Sequence, residues 1–416
     1  MARTLKGRGY ELVDFNEKAD VYIVNSCSVT AKADKKSEQA IRKARNRNQQ
    51  ATVVMVGCYA QLQPAKIAGL EGVDLILGND EKSRLPEYLE QFDKTRWPEP
   101  HTCPAFLDRD FFPAYSHGDR TRSFLKVQDG CDYRCSYCTI PLARGRSRNQ
   151  SIASTVNQAR EIAQGGVKEI ILTGVNIGDF GKSTHESFTG LIRALEKIRG
   201  IERIRISSIE PNLLSDEIID LVAGSGKFLP HFHIPLQSGS DEILGYMRRR
   251  YKREHFLRRI QSIREKLPSA FIGVDVIVGF PGEDEHRFIQ TMNFLKELDV
   301  SYYHAFSFSS RPATPAYTME KEVPANIIKE RSMEVQQLAE EKKEDFYRKH
   351  LGQSRRVLFE NMIQNGNIQG FTDNYIRVEI PYMPGLQGQI QEVYLQDYHK
   401  QGMIKGSLLK QQSIQA

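Results

Sequence analysis

Cysteine is scarce in this sequence, tryptophan almost absent and long apolar runs missing: there are six Cys and one Trp among 416 residues. Nowhere do the roughly 18 uninterrupted apolar residues of a membrane span occur, and the opening MARTLKGRGYELVDF has no apolar core of signal-peptide type. These absences predict a cytoplasmic protein with no membrane association. In that reducing compartment, unevenly spaced cysteines are a poor disulfide framework, so metal or redox chemistry is the better reading of them. Charge of one sign is not dominant either. A net charge of +6 is a mild basic excess and weak evidence for nucleic acid by itself. The length exceeds what one hydrophobic core fills, which predicts two or three domains.

Residues 1–105 alternate apolar strands with polar helices: ADVYIVNSC, KADKKSEQAIRKARNR, ATVVMVGC, GVDLILGN, SRLPEYLEQF. That is the βαβ rhythm of a doubly wound parallel sheet, an α/β fold. Cys27 and Cys58 each follow a strand's apolar run, so both thiols should face the crevice at the strands' carboxyl edge. A proline-rich linker follows. A second series, 119–350, offers six strand candidates (SFLKVQDGC, KEIILTGVNIG, ERIRISSIEP, HFHIPLQSG, FIGVDVIVGFPGE, YYHAFSFSS) with amphipathic helices between them, several opened by Ser or Asp. Six such units fit a partial, TIM-like βα barrel, in which function gathers at strand C-termini. From 351 to 416 short alternating strands predict a small antiparallel β-barrel, a size class often used on RNA.

Half of the cysteines fall in GCDYRCSYC, as Cys131, Cys135 and Cys138, at spacing C-x3-C-x2-C. Three thiolates are soft ligands for iron–sulfur or zinc. A closed zinc site needs a fourth ligand, and Cys103 and His117 stand upstream at irregular distances. A 4Fe-4S cluster held by three cysteines keeps one iron open for chemistry, the arrangement favoured here over zinc and over coincidental thiols.

This motif, with Tyr137 before its last cysteine and at the end of a first barrel strand, resembles the radical S-adenosylmethionine superfamily. NSCSVTAKADKKSEQAIRKA, VGCYAQ, GCDYRCSYCTIPLARGRSR, LTGVNIG, RISSIEP, HIPLQSGSDEIL, MRRRY and DVIVGFPGE together resemble the methylthiotransferases over nearly the whole chain, the C-terminal part being similar to the RNA-binding TRAM domain. The resemblance implies that Cys131, Cys135 and Cys138 ligate three irons of a 4Fe-4S cluster, the fourth iron chelating S-adenosylmethionine. It implies a second, auxiliary 4Fe-4S cluster in the N-terminal domain, with Cys27 and Cys58 among its ligands. One S-adenosylmethionine would methylate a sulfur there; another would yield the 5'-deoxyadenosyl radical that removes hydrogen from C2 of an adenine. The SVTAKADKKS run and GCYAQ look most like the branch acting on N6-threonylcarbamoyladenosine at tRNA position 37. Sister targets are isopentenyladenosine in tRNA and an aspartate of a ribosomal protein; a catalytically impaired iron–sulfur RNA-binding protein is the reading from another class. An electron donor such as flavodoxin or ferredoxin is implied, and a monomer.

Family members carry three N-terminal cysteines, the first on a strand ahead of a helix like ARTLKGRGYE. This chain begins inside that helix, which predicts a truncated start in preference to a divergent, incomplete auxiliary site. Cys103 reads as a linker thiol without a role. For S-adenosylmethionine, Tyr137, Gly174, Ser208, Glu210 and Gln237 are the expected contacts; at Gly174 the missing side chain would let the cofactor approach the backbone. Asp275 is a further polar group on the fifth barrel strand, whereas His231 and His233 read as packing or hydrogen-bonding residues, not metal ligands. Basic groups at Lys35, Lys36 and Arg42, at Arg144 and Arg146, and at Arg249 are expected to meet the tRNA backbone.

Overall fold

The computed structural model describes residues 1–93, 100–102, 110–116, 121–399 and 402–409. Cys103 and His117 lie outside them. The chain divides into two compact units: Met1–Phe112 with Gly130–Arg146 and Ser309–Met319, and Pro113–Asp129 with Ser147–Phe308 and Glu320–Ala416. The cysteine loop and a short segment after the barrel's last strand group with the N-terminal sheet.

In the first unit, strands β1 (Val21–Ser26), β2 (Thr52–Gly57), β3 (Leu75–Leu77) and β4 (Pro100–His101) form a parallel sheet in that order. Every residue of β2 is buried, as a strand covered on both faces must be. Its alternation shows why: Val53 and Met55 pack with Tyr22, Ile41 and Ala44, while Val54 and Val56 pack with Leu5, Leu75 and Leu85 on the opposite face. The helix Ala31–Arg47 starts where Thr30 Oγ1 accepts the Ala33 N–H, and it buries Asp34, Ser37, Ile41 and Ala44, a single stripe at helical spacing.

In the second unit, β5 (Ala114–Tyr115) runs antiparallel to β6 (Arg122–Lys126), which continues in parallel with β7 (Glu169–Thr173) and β8 (Arg203–Ile206). A second parallel sheet holds β9 (His231–Gln237), β10 (Phe271–Val278) and β11 (Tyr302–Ser307). Bridges Ile204–Phe228 and Ser208–His233 join the sheets, so six parallel strands line a partial barrel, as the sequence pattern predicts. Ser151, Ser187, Ser215 and Asp284 cap intervening helices. On β10, Ile272, Val274, Val276 and Val278 are fully buried in the core shared with those helices; Gly273, Asp275 and Ile277 therefore face the barrel interior.

After the helix Ala325–Arg348, strands β12 (Ser354–Gln364), β13 (Asn367–Thr372), β14 (Arg377–Pro381), β15 (Ile390–His399) and β16 (Met403–Leu408) close a barrel in the order β12-β13-β14-β16-β15. This small barrel abuts the amino ends of the large barrel's strands. The Arg122 guanidinium lies 4.8 Å from the Phe371 ring centre, and Arg203 Nη1 donates to Phe371 O at 3.1 Å. The Tyr375 ring centre is 4.9 Å from that of His231 and 5.7 Å from that of Phe271. The Arg205 guanidinium covers Tyr375 at 4.2 Å and bonds to the buried Glu169 carboxylate at 3.3 Å. Among the described residues, no helix is long and apolar enough to cross a membrane.

Candidate active site

Strand β6 runs straight into the cysteine loop. Asp129 and Arg148 exchange backbone hydrogen bonds of 2.9 Å at its neck, and the Arg148 side chain is held by Asp129. Inside the neck, Gly130 has φ 71°, and a Cβ there would lie 1.9 Å from Arg146 O. Cys131 N–H donates to Gly145 O and Cys138 N–H to Cys135 O, both at 3.1 Å; Tyr133 N–H points at Cys131 Sγ, 3.4 Å away. None of the three thiols is in a disulfide; Cys135 is buried and Cys131 and Cys138 half-buried, with Tyr137 half-buried between the last two. Soft donors in a short loop pinned by its own backbone, with an N–H aimed at sulfur, fit an iron–sulfur cluster.

At the strand ends, Gln128 is fully buried and gathers four partners: its Oε1 accepts from Val175 N at 2.9 Å and Asn176 N at 2.8 Å, and its Nε2 donates to Asp129 O and Ser147 Oγ. A Cβ on Gly174 would meet that Oε1 at 2.9 Å and Ile177 Cγ2 at 2.7 Å. The packing of Gln128 and Ile177 therefore already excludes a side chain at Gly174. Glu210 pairs with Arg249, whose side chain is only 3% exposed. Burial raises the Glu210 carboxyl above its usual range against the opposing pull of Arg249. Arg249 is spent on this pair and on Tyr251 Oη at 3.1 Å, so it leaves the expected RNA surface. Ser208 bridges to His233, and Gln237 ends β9 at φ 70°, a strained backbone of the kind that gathers at functional sites.

His233 Nε2 and Asp275 Oδ1 are 2.8 Å apart, so His233 is a hydrogen-bonding residue. His231 stacks on Phe271 at 5.5 Å; burial first, then Arg205, pushes it well below the usual histidine range and keeps it neutral. The cluster formed by His233, Asp275 and His304, whose donor atoms all lie within 4.8 Å of one another, is not apparent in the sequence. The β10–β11 register that pairs Asp275 with His304 creates it.

In the first unit, Cys27 and Cys58 follow Ser26 and Gly57, which are register partners, so both thiols sit at one sheet edge as expected, Cys27 exposed and Cys58 buried. Two described thiols stand at that edge, one fewer than the three that the resemblance implies for an auxiliary cluster. Asn79, missed in the sequence, donates to Ala143 O at 2.8 Å and lies 3.6 Å from Cys58 Sγ, tying that edge to the helix after the cysteine loop. Next to Cys27, Ser28 Oγ bonds Asp34 at 2.9 Å, and Arg311 holds Ser28 at 2.5 Å and Asp34 at 2.6 Å, all three buried. Lys35, Lys36 and Arg42 are exposed on the helix Ala31–Arg47, whereas Arg45 is engaged by Asp74 and Arg47 by Asn16. The Arg146 side chain is 80% exposed, and Arg144 is half-buried.

A partial parallel βα barrel whose first strand leads into a C-x3-C-x2-C loop defines a radical S-adenosylmethionine enzyme. The model of the Radical SAM superfamily matches residues 125–295, and that of uncharacterized protein family UPF0004 matches residues 1–78. The threonylcarbamoyladenosine tRNA methylthiotransferase MtaB of Bacillus subtilis (strain 168) is 37% identical, over 93% of this chain and 88% of the relative. The tRNA-2-methylthio-N(6)-dimethylallyladenosine synthase of Geobacter metallireducens is 32% identical, over 94% and 91%. In fold, the chain is similar to the radical S-adenosylmethionine methyltransferase TsrM from Kitasatospora setae, with a TM-score of 0.53 at 18% identity over 73% of this chain and 67% of that one. The protein belongs to the radical S-adenosylmethionine tRNA methylthiotransferase family.

Proposed function

We propose that this protein methylthiolates C2 of N6-threonylcarbamoyladenosine at position 37 of tRNA. The observation that carries the reading is the 37% identity, over most of both chains, to a relative named for that substrate. Cys131, Cys135 and Cys138 would hold a 4Fe-4S cluster with an iron left for S-adenosylmethionine, and Cys27 and Cys58 would serve an auxiliary one. When bound, these groups supply the carbon radical and the sulfur that an unactivated aromatic C–H requires.

The chain's own part is positioning. The neck at Asp129 and Arg148 and the pinned backbone of the loop hold the thiols ready for their irons. Gln128 fixes the turn after β7 beside that neck. Lys35, Lys36, Arg42, Arg144 and Arg146 present cationic groups to phosphates. The small barrel is a second RNA-contacting surface in this reading, the enzyme acts as a cytoplasmic monomer, and reducing equivalents come from a donor such as flavodoxin or ferredoxin.

The test is mass spectrometry of tRNA nucleosides from cells lacking the gene, complemented with the wild-type chain or with Cys135→Ala. Loss of 2-methylthio-N6-threonylcarbamoyladenosine, restored by the wild type alone, is expected. Undiminished levels, with 2-methylthio-isopentenyladenosine lost instead, would transfer the enzyme to the substrate of the dimethylallyl relatives.

A further inference from the structure

Strands β9, β10 and β11 pair in parallel, with Gly273 beside His233, Asp275 beside His304 and Ile277 beside Phe306. Tyr303 turns away from the interior, its hydroxyl donating to Leu295 O in the helix Glu285–Glu297. By strand alternation, His304 and Phe306 face the same interior as Asp275. His304 is exposed, and Phe306 keeps 45% of its surface open. The His233 and His304 rings meet edge to face at 5.2 Å. An open imidazole and an open phenyl ring, neighbours in the lumen of a barrel, form a surface for a ligand with a flat face and a polar arm.

We infer that His304 and the His233–Asp275 pair form the subsite for the N6 substituent of the target adenosine, with Phe306 against the purine face. The inference rests on the proposed substrate. A threonylcarbamoyl arm carries a carboxylate, a hydroxyl and a ureido group. An imidazole N–H of His304 suits the carboxylate. Asp275, with Oδ1 engaged by His233, offers its other oxygen to a ureido N–H or the hydroxyl. A dimethylallyl arm has no polar atom, and covering these three side chains with it would leave buried polar groups unpaired, which is how hydrogen-bonding sites reject apolar analogues. A cation at the same place fits less well, because the His233 nitrogen and the Asp275 oxygen nearest each other are already joined by a hydrogen bond.

The experiment uses the anaerobically reconstituted full chain and fluorescently labelled anticodon stem-loop RNAs. Position 37 carries threonylcarbamoyladenosine, isopentenyladenosine or plain adenosine, and affinities are read by anisotropy. The wild type is expected to favour the threonylcarbamoyl RNA. His304→Ala should remove about tenfold or more of that preference, the size of a hydrogen bond to a charged group, and His304→Gln, which keeps an N–H donor, should restore part of it. An unchanged preference in His304→Ala, or about one zinc per chain that disappears with the substitution, would overturn the subsite while leaving the substrate standing. A wild type that favours the isopentenyl RNA would overturn the substrate reading itself.

Discussion

Gly130→Ala tests whether the neck of the cysteine loop, and not the cysteines alone, makes the cluster site. The glycine sits at φ 71°, and an added Cβ would lie 1.9 Å from Arg146 O, 2.6 Å from Arg146 C and 2.8 Å from Gly145 O. All three are backbone atoms, so no side chain can swing aside. Left-handed backbone costs an L-residue about 1–2 kcal/mol. Moving Gly145 also breaks the Cys131 N–H bond to its carbonyl, worth about 1 kcal/mol. The sum, about 2–3 kcal/mol, falls on one loop, so local opening is the expected outcome, with the barrel still folded. Iron and labile sulfide per chain after anaerobic reconstitution should drop by about four each, while the main thermal transition moves little. Gly166→Ala is the control: its φ is 78°, but nothing lies within 4 Å of the added Cβ. It should carry the left-handed penalty alone, about 1–2 kcal/mol, and lose no iron. A Gly130→Ala protein with a full iron complement would refute the steric reasoning.

Three further outcomes follow from the buried and exposed charges. Arg311→Met strands Asp34 in the interior beside Ser28, so it should destabilise the first unit by about 3–5 kcal/mol, read as an early unfolding phase in calorimetry; an unchanged melt would mean that water replaces the pair. Replacing Lys35 and Lys36 by Gln should leave stability within about 0.5 kcal/mol and lower the slope of log affinity for tRNA against log salt by about one per lost phosphate contact. Burial, against the Gly279 amide and Arg331, pushes Glu283 up to about 7 from 4.5. Its share of stability is therefore complete below pH 4.5 and fades as pH rises through about 7. Melting temperatures across that window should fall more steeply with pH for the wild type than for Glu283→Gln, and parallel curves would disprove the assignment.

The strand order of the large barrel and the place of the cysteine loop were legible because both are local: period-two runs, capping residues and cysteine spacing lie within a few residues of one another. What the sequence hid depends on distant partners. In MRRRY three arginines read alike, yet only Arg249 turns inward to Glu210, 39 residues earlier. Nothing near Gly174 in the sequence reveals that Gln128 fills its space. His304 looked like one more strand residue until the register set Asp275 beside it. Lys35, Lys36 and Arg42 were separable from Arg45 only once Asp74 was seen to bind the latter.

The small C-terminal barrel is also the floor of the large one. Arg122, Arg203, His231 and Phe271, each the first residue of its strand, rest on Phe371 and Tyr375. A module that closes its neighbour cannot be exchanged as a bead on a string is exchanged. Grafting a different small barrel after residue 350 would uncover Glu169, Arg203 and Arg205, all buried here, to water. Change on the outer face of the small barrel is therefore held in check by the face that closes the large one, and the two parts can diverge only together.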